Sequence, residues 1–388
     1  MKTLWEVMSY LLVAILASAL TLSAVVGIPG FAGVNDDASK QEQRKDMLAE
    51  RYIGGADEKA LEDAAAHAMV SATGDRWSYY IPADQYQAYV ETMENAYVGI
   101  GITIQAAEDN SGFLVTKVNA GGSAEEAGVL AGDVIIAIEG QSAAEMTSEE
   151  ARNLVRGEEN TAVNMTFRRG EETLELSIVR KKVQVEVATG KLLEGNIGLV
   201  TINNFDLRCS EETIAAIEML LEQGATSLIF DVRNNPGGYA KQLVEVLDYL
   251  LPEGELFRTV DYTGAEDVDM SDAACLDIPM AVLVNAESYS AAEFFAAALK
   301  DYDAAIVVGE KTCGKGYYQV NYLLLDGSAV SISIGEYFTP KGENLANVGV
   351  TPDVEIAVDE ETFLAIYAGT LDPMEDPQIL AAMDALKK

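Results

Sequence analysis

The chain has 388 residues, 49% of them apolar, and its 63 acidic against 26 basic side chains give a net charge of −37. That length accommodates more than one core, while an acidic excess of this size excludes nucleic acid as a partner, since phosphate binding rests on Lys and Arg; the acidity itself serves solubility. Three widely spaced cysteines (Cys209, Cys275, Cys313) and a single histidine (His67) indicate neither a disulfide framework nor a zinc cluster, so the thiols read as buried and no metal or cofactor is expected.

In chain order, Met8 to Ile28 is uncharged, rich in Leu, Val and Ala, and long enough to cross a bilayer. Lys2 precedes it and Asp36 and Asp37 follow, which places the N-terminus in the cytoplasm and the rest of the chain outside. A cleavable signal peptide is the alternative, because Ala17-Ser18-Ala19 could serve a signal peptidase and would leave a secreted protein. Residues 29–95 read as helical: SKQEQRKDMLAERYIG, EKALEDAAAHAMVSAT and DRWSYYIPADQYQAYVETME, with Trp77, Tyr79 and Tyr80 expected in a core.

From Ala96 to Val183 the pattern changes to short strands with turns (YVGIGITIQ, GFLVTKV, DVIIAIEG, AVNMTFRRG, ETLELSIVR) around one helical run, EEARNLVRG. Val98-Gly99-Ile100-Gly101-Ile102 before a strand, and the AGVLAGDVIIAIEG run from Ala127 to Gly140, resemble a PDZ domain. The resemblance implies that Val98 to Ile102 form a loop of backbone amides that captures the terminal carboxylate of an extended peptide added to the sheet edge. Arg156 could couple this domain to its neighbour, or be an ordinary solvated helix charge.

Beyond Asn196, apolar strands (NIGLVTINNF, SLIFDVR, MAVLVNA, AAIVVGE) alternate with helices (EETIAAIEMLLEQG, AKQLVEVLDYLL, AAEFFAAALK), which argues for a layered α/β core. Two residues there stand out as chemistry. Ser290 lies in NAESYSAAEFF and Lys315 in GEKTCGKGYYQ. A serine hydroxyl needs a base beside it to become a nucleophile, and His67, in an alanine-rich helical stretch, is poorly placed to supply one. Lysine can substitute only when unprotonated, and at a reference pKa of about 10.4 roughly one in a few thousand is neutral near pH 7, so burial has to lower the value. Lys315, between Gly314 and Gly316, could enter such a pocket, and in an extended segment Tyr317 and Gln319 would share its face. Ser290 also fits a capping box with Glu293 at the start of a helix. Capping and catalysis are compatible, because helix-start amides can stabilise an oxyanion. Ser288 rivals Ser290 for either role. The Asn-Pro-Gly-Gly turn ending at Gly237 and Gly238 would bring bare amides close to a reacting carbonyl.

These segments, in this order, resemble the C-terminal processing peptidases, the S41 family of serine proteases. Asn285, Ser288, Ser290 and Glu293 match its N-x-x-S-x-S-x-x-E pattern, and Gly309 to Gly316 its G-E-x-T-x-G-K-G pattern, with Gln319 following. The resemblance implies Ser290 as nucleophile, Lys315 as general base and Gln319 as its orienter. It assigns the oxyanion hole to the amides of Gly237 or Gly238 and of Ala291. Asp301, where the family is often acidic, equally suits a helix end. The implied fold class is α/β and α+β multidomain, a ClpP/crotonase-like protease core with an inserted PDZ domain and a helical N-terminal segment. The boundaries read as 1–28, anchor or signal; 29–95, helical; 96–183, PDZ; 184–358, protease core; 359–388, a helical end that could form a homodimer. Expected partners are unfolded or C-terminal tails of proteins and the membrane. The alternative function is a catalytically silent PDZ-containing scaffold at the membrane surface.

Overall fold

The computed structural model describes residues 40–107, 109–119 and 121–387. The apolar stretch Met8 to Ile28 lies outside the described residues, and among these no helix is long and apolar enough to cross a membrane. The chain divides into two compact units, one ending at Tyr80 and one running from Ile81 to the end.

The first unit holds helices α1 (Lys40–Arg51) and α2 (Glu58–Ser71), neither of which has a buried residue. Asp57 caps α2 by accepting from the Lys59 and Ala60 N–H groups, and Tyr80 donates to Asp63 at 2.7 Å. The expectation that Trp77, Tyr79 and Tyr80 all pack in a core is corrected here. Only Tyr80 is buried; Trp77 is half-buried beneath the Arg76 guanidinium and Tyr79 is exposed. The stretch Tyr79–Ile81 is strand β1, which spans the sequence boundary between the units.

In the second unit, α3 (Ala83–Met93) leads into β2 (Ala96–Gly99), which pairs antiparallel with β9 (Lys181–Gln184), Ala96 opposite Gln184. The chain thus enters and leaves the intervening domain through one two-stranded stem. Inside it, β3 (Ile102–Ala106), β4 (Phe113–Val118), β5 (Val134–Ile138), β7 (Ala162–Arg169) and β8 (Glu172–Val179) form an antiparallel sheet in that order, with β6 (Gln141–Ser142) beside β5. A short helix, α4 (Ser123–Glu126), follows β4. A capping box of Thr147 and Glu150 starts α5 (Ser148–Val155). The inward residues of these strands, among them Phe113, Ile135, Val163 and Phe167, close a separate apolar core with Ile100 and Ala151.

The larger domain is built on a sheet ordered β10 (Ala188–Leu193), β11 (Ile197–Ile202), β12 (Ser227–Asp231), β15 (Met280–Val284), β16 (Ala305–Gly309) and β19 (Val354–Glu355). All neighbours after β10 are parallel. The central strands are buried on both faces, which is why MAVLV reads as an unbroken apolar run instead of an alternation. Helices α6 (Cys209–Glu222), α7 (Ala240–Leu250) and α8 (Ala291–Asp301) contribute to the core on one face. On the other, Ile379, Ala382 and Met383 of α10 (Pro377–Ala385) pack on Ile229, Leu283 and Val308. The apolar side of α10 is therefore used within its own chain. Helix α9 (Glu360–Tyr367) precedes it, with no buried residue.

A second sheet pairs β14 (Glu266–Ser271) with β13 (Gly254–Asp261), β13 with β18 (Ala329–Phe338), and β18 with β17 (Tyr317–Leu323). The β13–β14 hairpin is absent from the periodicity reading because β14 is acidic and exposed along most of its length, so no apolar alternation marks it. Its turn is held by the Asp261 carboxylate, which accepts from the Thr263 and Ala265 N–H groups at 2.7 and 3.0 Å. The thiols also depart from expectation: Cys209 is buried, Cys313 half-buried and Cys275 exposed, and none of the three forms a disulfide.

Phe295 of α8 joins the helical layer to the sheet, edge-on to Phe230 at 5.3 Å and tilted against Phe205 at 5.9 Å. Phe295→Ala is expected to cost about 3–5 kcal/mol. In calorimetry the transition of the large domain should fall by roughly 6–20 °C.

Candidate active site

Three adjacent parallel strands end on the same side of the large sheet, and each delivers one segment of the site there. Asp231 at the end of β12 is opposite Leu283 of β15, and Val284 at the end of β15 is opposite Gly309 of β16. The crevice beyond the carboxyl ends of parallel strands is where open α/β sheets place their ligands.

The middle segment carries the serine. Ser290 has φ 59° and ψ −127°, a conformation that costs a non-glycine residue about 1–3 kcal/mol and is kept only where the surroundings enforce it. It stands immediately before α8, and its side chain makes no capping hydrogen bond. The capping box expected from Ser290 and Glu293 is therefore only half present: the backbone of Ser290 bonds the Glu293 carboxyl, but the hydroxyl does not return the bond. Ser288 is a different case. It is fully buried; its hydroxyl donates to the Val232 carbonyl at 2.8 Å and accepts from the Asn285 N–H at 3.0 Å. Ser288 is thus engaged in holding the turn, which leaves Ser290 as the half-buried hydroxyl of the pair.

The segment after β12 supports that turn from below. Asn285 accepts from the Asn234 N–H at 3.0 Å and donates to the Asn234 side chain at 2.9 Å, and Tyr289 N–H donates to the Asn235 carbonyl at 3.2 Å. Gly237 and Gly238 follow, at φ 89° and 152°. A Cβ on Gly237 would lie 2.7 Å from the Ser290 Cβ, and one on Gly238 2.2 Å from the Phe205 carbonyl oxygen, so neither position admits a side chain. The Gly237 N–H donates to the Asn235 side chain at 2.8 Å. Among the three amides assigned to an oxyanion hole, those of Gly238 and Ala291 keep their N–H groups available among the described residues.

The third segment follows β16 and carries Lys315, half-buried, two residues before β17. Its placement depends on Glu293, fully buried in the first turn of α8. That carboxylate accepts from the Thr312 hydroxyl, from the Gly314 N–H at 2.7 Å and from the Lys315 N–H at 2.9 Å, besides the Ser290 backbone. Burial pushes the Glu293 carboxyl above its ordinary range, against the pull of these donors. Tyr337 closes the site from β18. Its hydroxyl donates to the Lys315 carbonyl and also lies within hydrogen-bonding reach of the Ser290 side chain, and burial holds the phenol well above its usual pKa.

Other residues singled out in the sequence lie apart or have other contacts. The Gln319 amide donates to the Tyr317 carbonyl at 3.1 Å and to the Ser333 hydroxyl at 2.9 Å. Asp301 ends α8, about 15 Å along the helix from its first residue, and accepts from the Lys341 N–H at 2.8 Å. In the smaller domain, Gly99, Ile100, Gly101 and Ile102 line a groove of about 350 Å³ between β3 and α5, whereas Val98 lies in the stem opposite Lys182. The Ile100 and Gly101 carbonyls accept from Ala124 and Asn119, at 3.0 and 2.9 Å. Sequence reasoning missed Tyr337 and Thr312 as parts of the site. Thr312 lies inside the lysine motif, so its position was legible, but its partner across the fold was not.

Comparison with known proteins places these features together. The family profile described as peptidase family S41 matches residues 196–356, and that of a PDZ domain matches residues 114–169. A Staphylococcus aureus (strain COL) protein named "Probable CtpA-like serine protease" is 32% identical over 376 residues, covering 94% of this chain and 75% of that protein. The "Carboxy-terminal processing protease CtpA" of Bacillus subtilis (strain 168) is 31% identical over 353 residues, 89% of this chain and 75% of that one. Among solved structures, an S41 protease from Bacteroides fragilis shares the fold, with a TM-score of 0.50 at 18% identity over 75% of this chain and 83% of that one.

Glu293→Gln turns an acceptor into a group with its own N–H donors facing the Gly314 and Lys315 amides. The substitution is expected to cost about 1–3 kcal/mol. Hydrogen exchange should quicken at Gly314 and Lys315 while the amides of α7 keep their protection.

Proposed function

The chain belongs to peptidase family S41, and we propose that it is a membrane-anchored serine endopeptidase, active outside the cytoplasm, that grips C-terminal tails in its PDZ groove and cuts with a Ser290/Lys315 dyad. The observation that carries this reading is the conformation of Ser290: a strained residue before a helix, its hydroxyl free of any capping role, on the segment that Glu293 ties to Lys315. Strain of this kind persists where a nucleophile must project from a strand-to-helix turn.

In this mechanism the neutral Lys315 amine takes the Ser290 proton as the hydroxyl oxygen attacks the scissile carbonyl. The tetrahedral oxyanion is stabilised by the Gly238 and Ala291 N–H groups. Lys315 then returns the proton to the leaving amine, and water, activated by the same amine, releases the acyl chain from Ser290. Gln319, on the strand that follows Lys315, orients the amine. The Tyr337 phenol stays neutral and acts as a positioning donor to the Lys315 backbone. Tail binding is supported by the PDZ match and by the Bacillus subtilis relative's name as a carboxy-terminal processing protease. The anchor is the Met8 to Ile28 stretch, which puts the catalytic region on the far side of the membrane.

The test is hydrolysis of unfolded casein by the wild-type chain, Ser290→Ala, Lys315→Met and Lys315→Arg. The three variants should lose at least about a thousandfold in kcat/KM with melting temperatures within a few degrees of the parent. Arginine keeps the positive charge but cannot release a proton near neutrality, so an active Lys315→Arg enzyme would remove lysine as the base. Equal fragment patterns from the parent and Ser290→Ala would leave the chain as a catalytically silent PDZ scaffold.

A further inference from the structure

Ser290 does not stand alone with Lys315. The buried Tyr337 hydroxyl reaches both residues, and its single proton decides what it does to each. That proton goes to the Lys315 carbonyl, and the same oxygen lies within hydrogen-bonding reach of the Ser290 side chain. A phenol has one O–H to donate, while its oxygen can also accept. With the proton committed to Lys315, the bond to Ser290 runs the other way: Ser290 donates and Tyr337 accepts.

The neighbouring carboxylate does not compete for the Ser290 hydroxyl. Glu293 offers about four acceptor positions, and the Ser290 backbone, the Thr312 hydroxyl and the Gly314 and Lys315 amides take them up. The phenol is also fixed in place. Its ring packs edge-on to Phe294 at 5.6 Å and tilted against Phe257 at 5.8 Å. Its N–H donates to the Gly316 carbonyl at 3.2 Å, and the Asn344 side chain donates to the Tyr337 and Gly316 carbonyls at 3.0 and 3.2 Å. The Ser290 backbone is held by its neighbours as well, so the hydroxyl leaves the phenol only by rotating about χ1 to another staggered position. A neutral phenol oxygen accepts a hydrogen bond but takes no proton, so a serine held this way stays a weak nucleophile.

We propose that Tyr337 is a latch on the nucleophile: its oxygen holds the Ser290 hydroxyl in the resting enzyme, and Ser290 has to turn from the phenol to the Lys315 amine before it attacks. This rests on the Ser290/Lys315 reading proposed above and adds the step that precedes attack. The latch and the base are joined through one residue, because the Lys315 carbonyl is what fixes the phenol as an acceptor. Tyr337 therefore touches a reacting atom and counts as a third catalytic residue, one that slows the unoccupied site.

The test uses the full chain in detergent and a fluorophosphonate probe, with labelling counted above a Ser290→Ala blank. The reaction joins Ser290 Oγ to phosphorus and breaks the P–F bond; fluoride leaves and the serine proton passes to Lys315. Tyr337→Phe keeps the ring packing and removes the acceptor, but it also leaves the Lys315 carbonyl without its donor. A second variant therefore carries 4-aminophenylalanine at position 337, whose amine still donates to that carbonyl and is a poor acceptor. This variant should label roughly three- to tenfold faster than the parent, the range that one neutral hydrogen bond accounts for. The factor should be the same from roughly pH 6 to 10, the range over which a lysine with a lowered pKa titrates, because the base is untouched. Tyr337→Phe should share the acceleration; if it alone does not, the lost carbonyl tether accounts for the difference and the latch stands on the amine variant. An amine variant that labels at the parent's rate or slower overturns the latch, as does an acceleration that comes only from a shifted pH midpoint. Absence of labelling in the parent and in both variants is a distinct failure: it removes Ser290 as the nucleophile and the latch with it.

Discussion

The site is held together by one buried carboxylate. Glu293 belongs to the helix that follows the serine, yet most of its hydrogen bonds go to the loop that carries the lysine, across a separation of 19 to 22 residues in sequence. An ionised side chain taken fully out of water is costly unless its oxygens are all engaged. Here the engagement does the positioning: the Ser290 backbone, the Thr312 hydroxyl and the Gly314 and Lys315 amides all converge on it. Thr312 extends the same network by accepting from the Val350 N–H at 2.7 Å, so the segment before β19 is tied to the site as well.

Around that carboxylate the fold accepts strain and sacrifices side chains. Ser290 is held at positive φ by bonds made by its neighbours: Ser288 to Val232, Asn285 to Asn234 and Tyr289 to Asn235. Gly237 and Gly238 leave no room for even a methyl group between that turn and the Phe205 strand end. The lysine loop has the same economy, since a Cβ on Gly316 would lie 2.4 Å from the Ala346 nitrogen. A rigid foundation makes this possible. Arg233, buried just below the turn, pairs with Asp231 and with Asp376 at 2.6 and 2.8 Å, so the last helix is tied to the strand end that supports the glycine turn.

How much of this was legible in the sequence follows from how local each signal is. The strands and helices of the large sheet, the glycine turn, and both the serine and lysine motifs are short runs whose periodicity or spacing survives in one dimension. What was lost is contact across the fold. Glu293 reads as the fourth residue of a capping box, because spacing reports that it can reach the Ser290 backbone but not that Thr312, Gly314 and Lys315 wait on its other side. Tyr337 reads as one aromatic in a closing strand, since only the β13–β18–β17 pairing carries it to the Lys315 carbonyl. Tyr79 and Cys275 were expected inside because aromatics and thiols usually are, and that rule says nothing of which particular residue the fold leaves outside. Ser288 and Ser290, two positions apart, were separable only once Val232 and Asn285 were seen around the first of them.

The two domains meet at the same strand end that supports the glycine turn. Asn95, just before the stem, and Asn204, just after β11, exchange a pair of side-chain amide hydrogen bonds at 2.7 Å, and Arg208 donates to the Val185 carbonyl at 2.7 Å. Asn204 is followed by Phe205, whose N–H donates to the Gly237 carbonyl at 2.8 Å and whose own carbonyl accepts from Tyr239 at 2.7 Å. Gly238, between those two bonds, keeps its own N–H available among the described residues. The PDZ stem and one arm of the candidate oxyanion hole are thus both hydrogen-bonded to a single stretch of chain, residues 204 and 205. A movement of the stem relative to the large sheet has to be absorbed by those bonds or passed on to Gly238, and the clash that any side chain there would meet shows how little slack the turn has to absorb it.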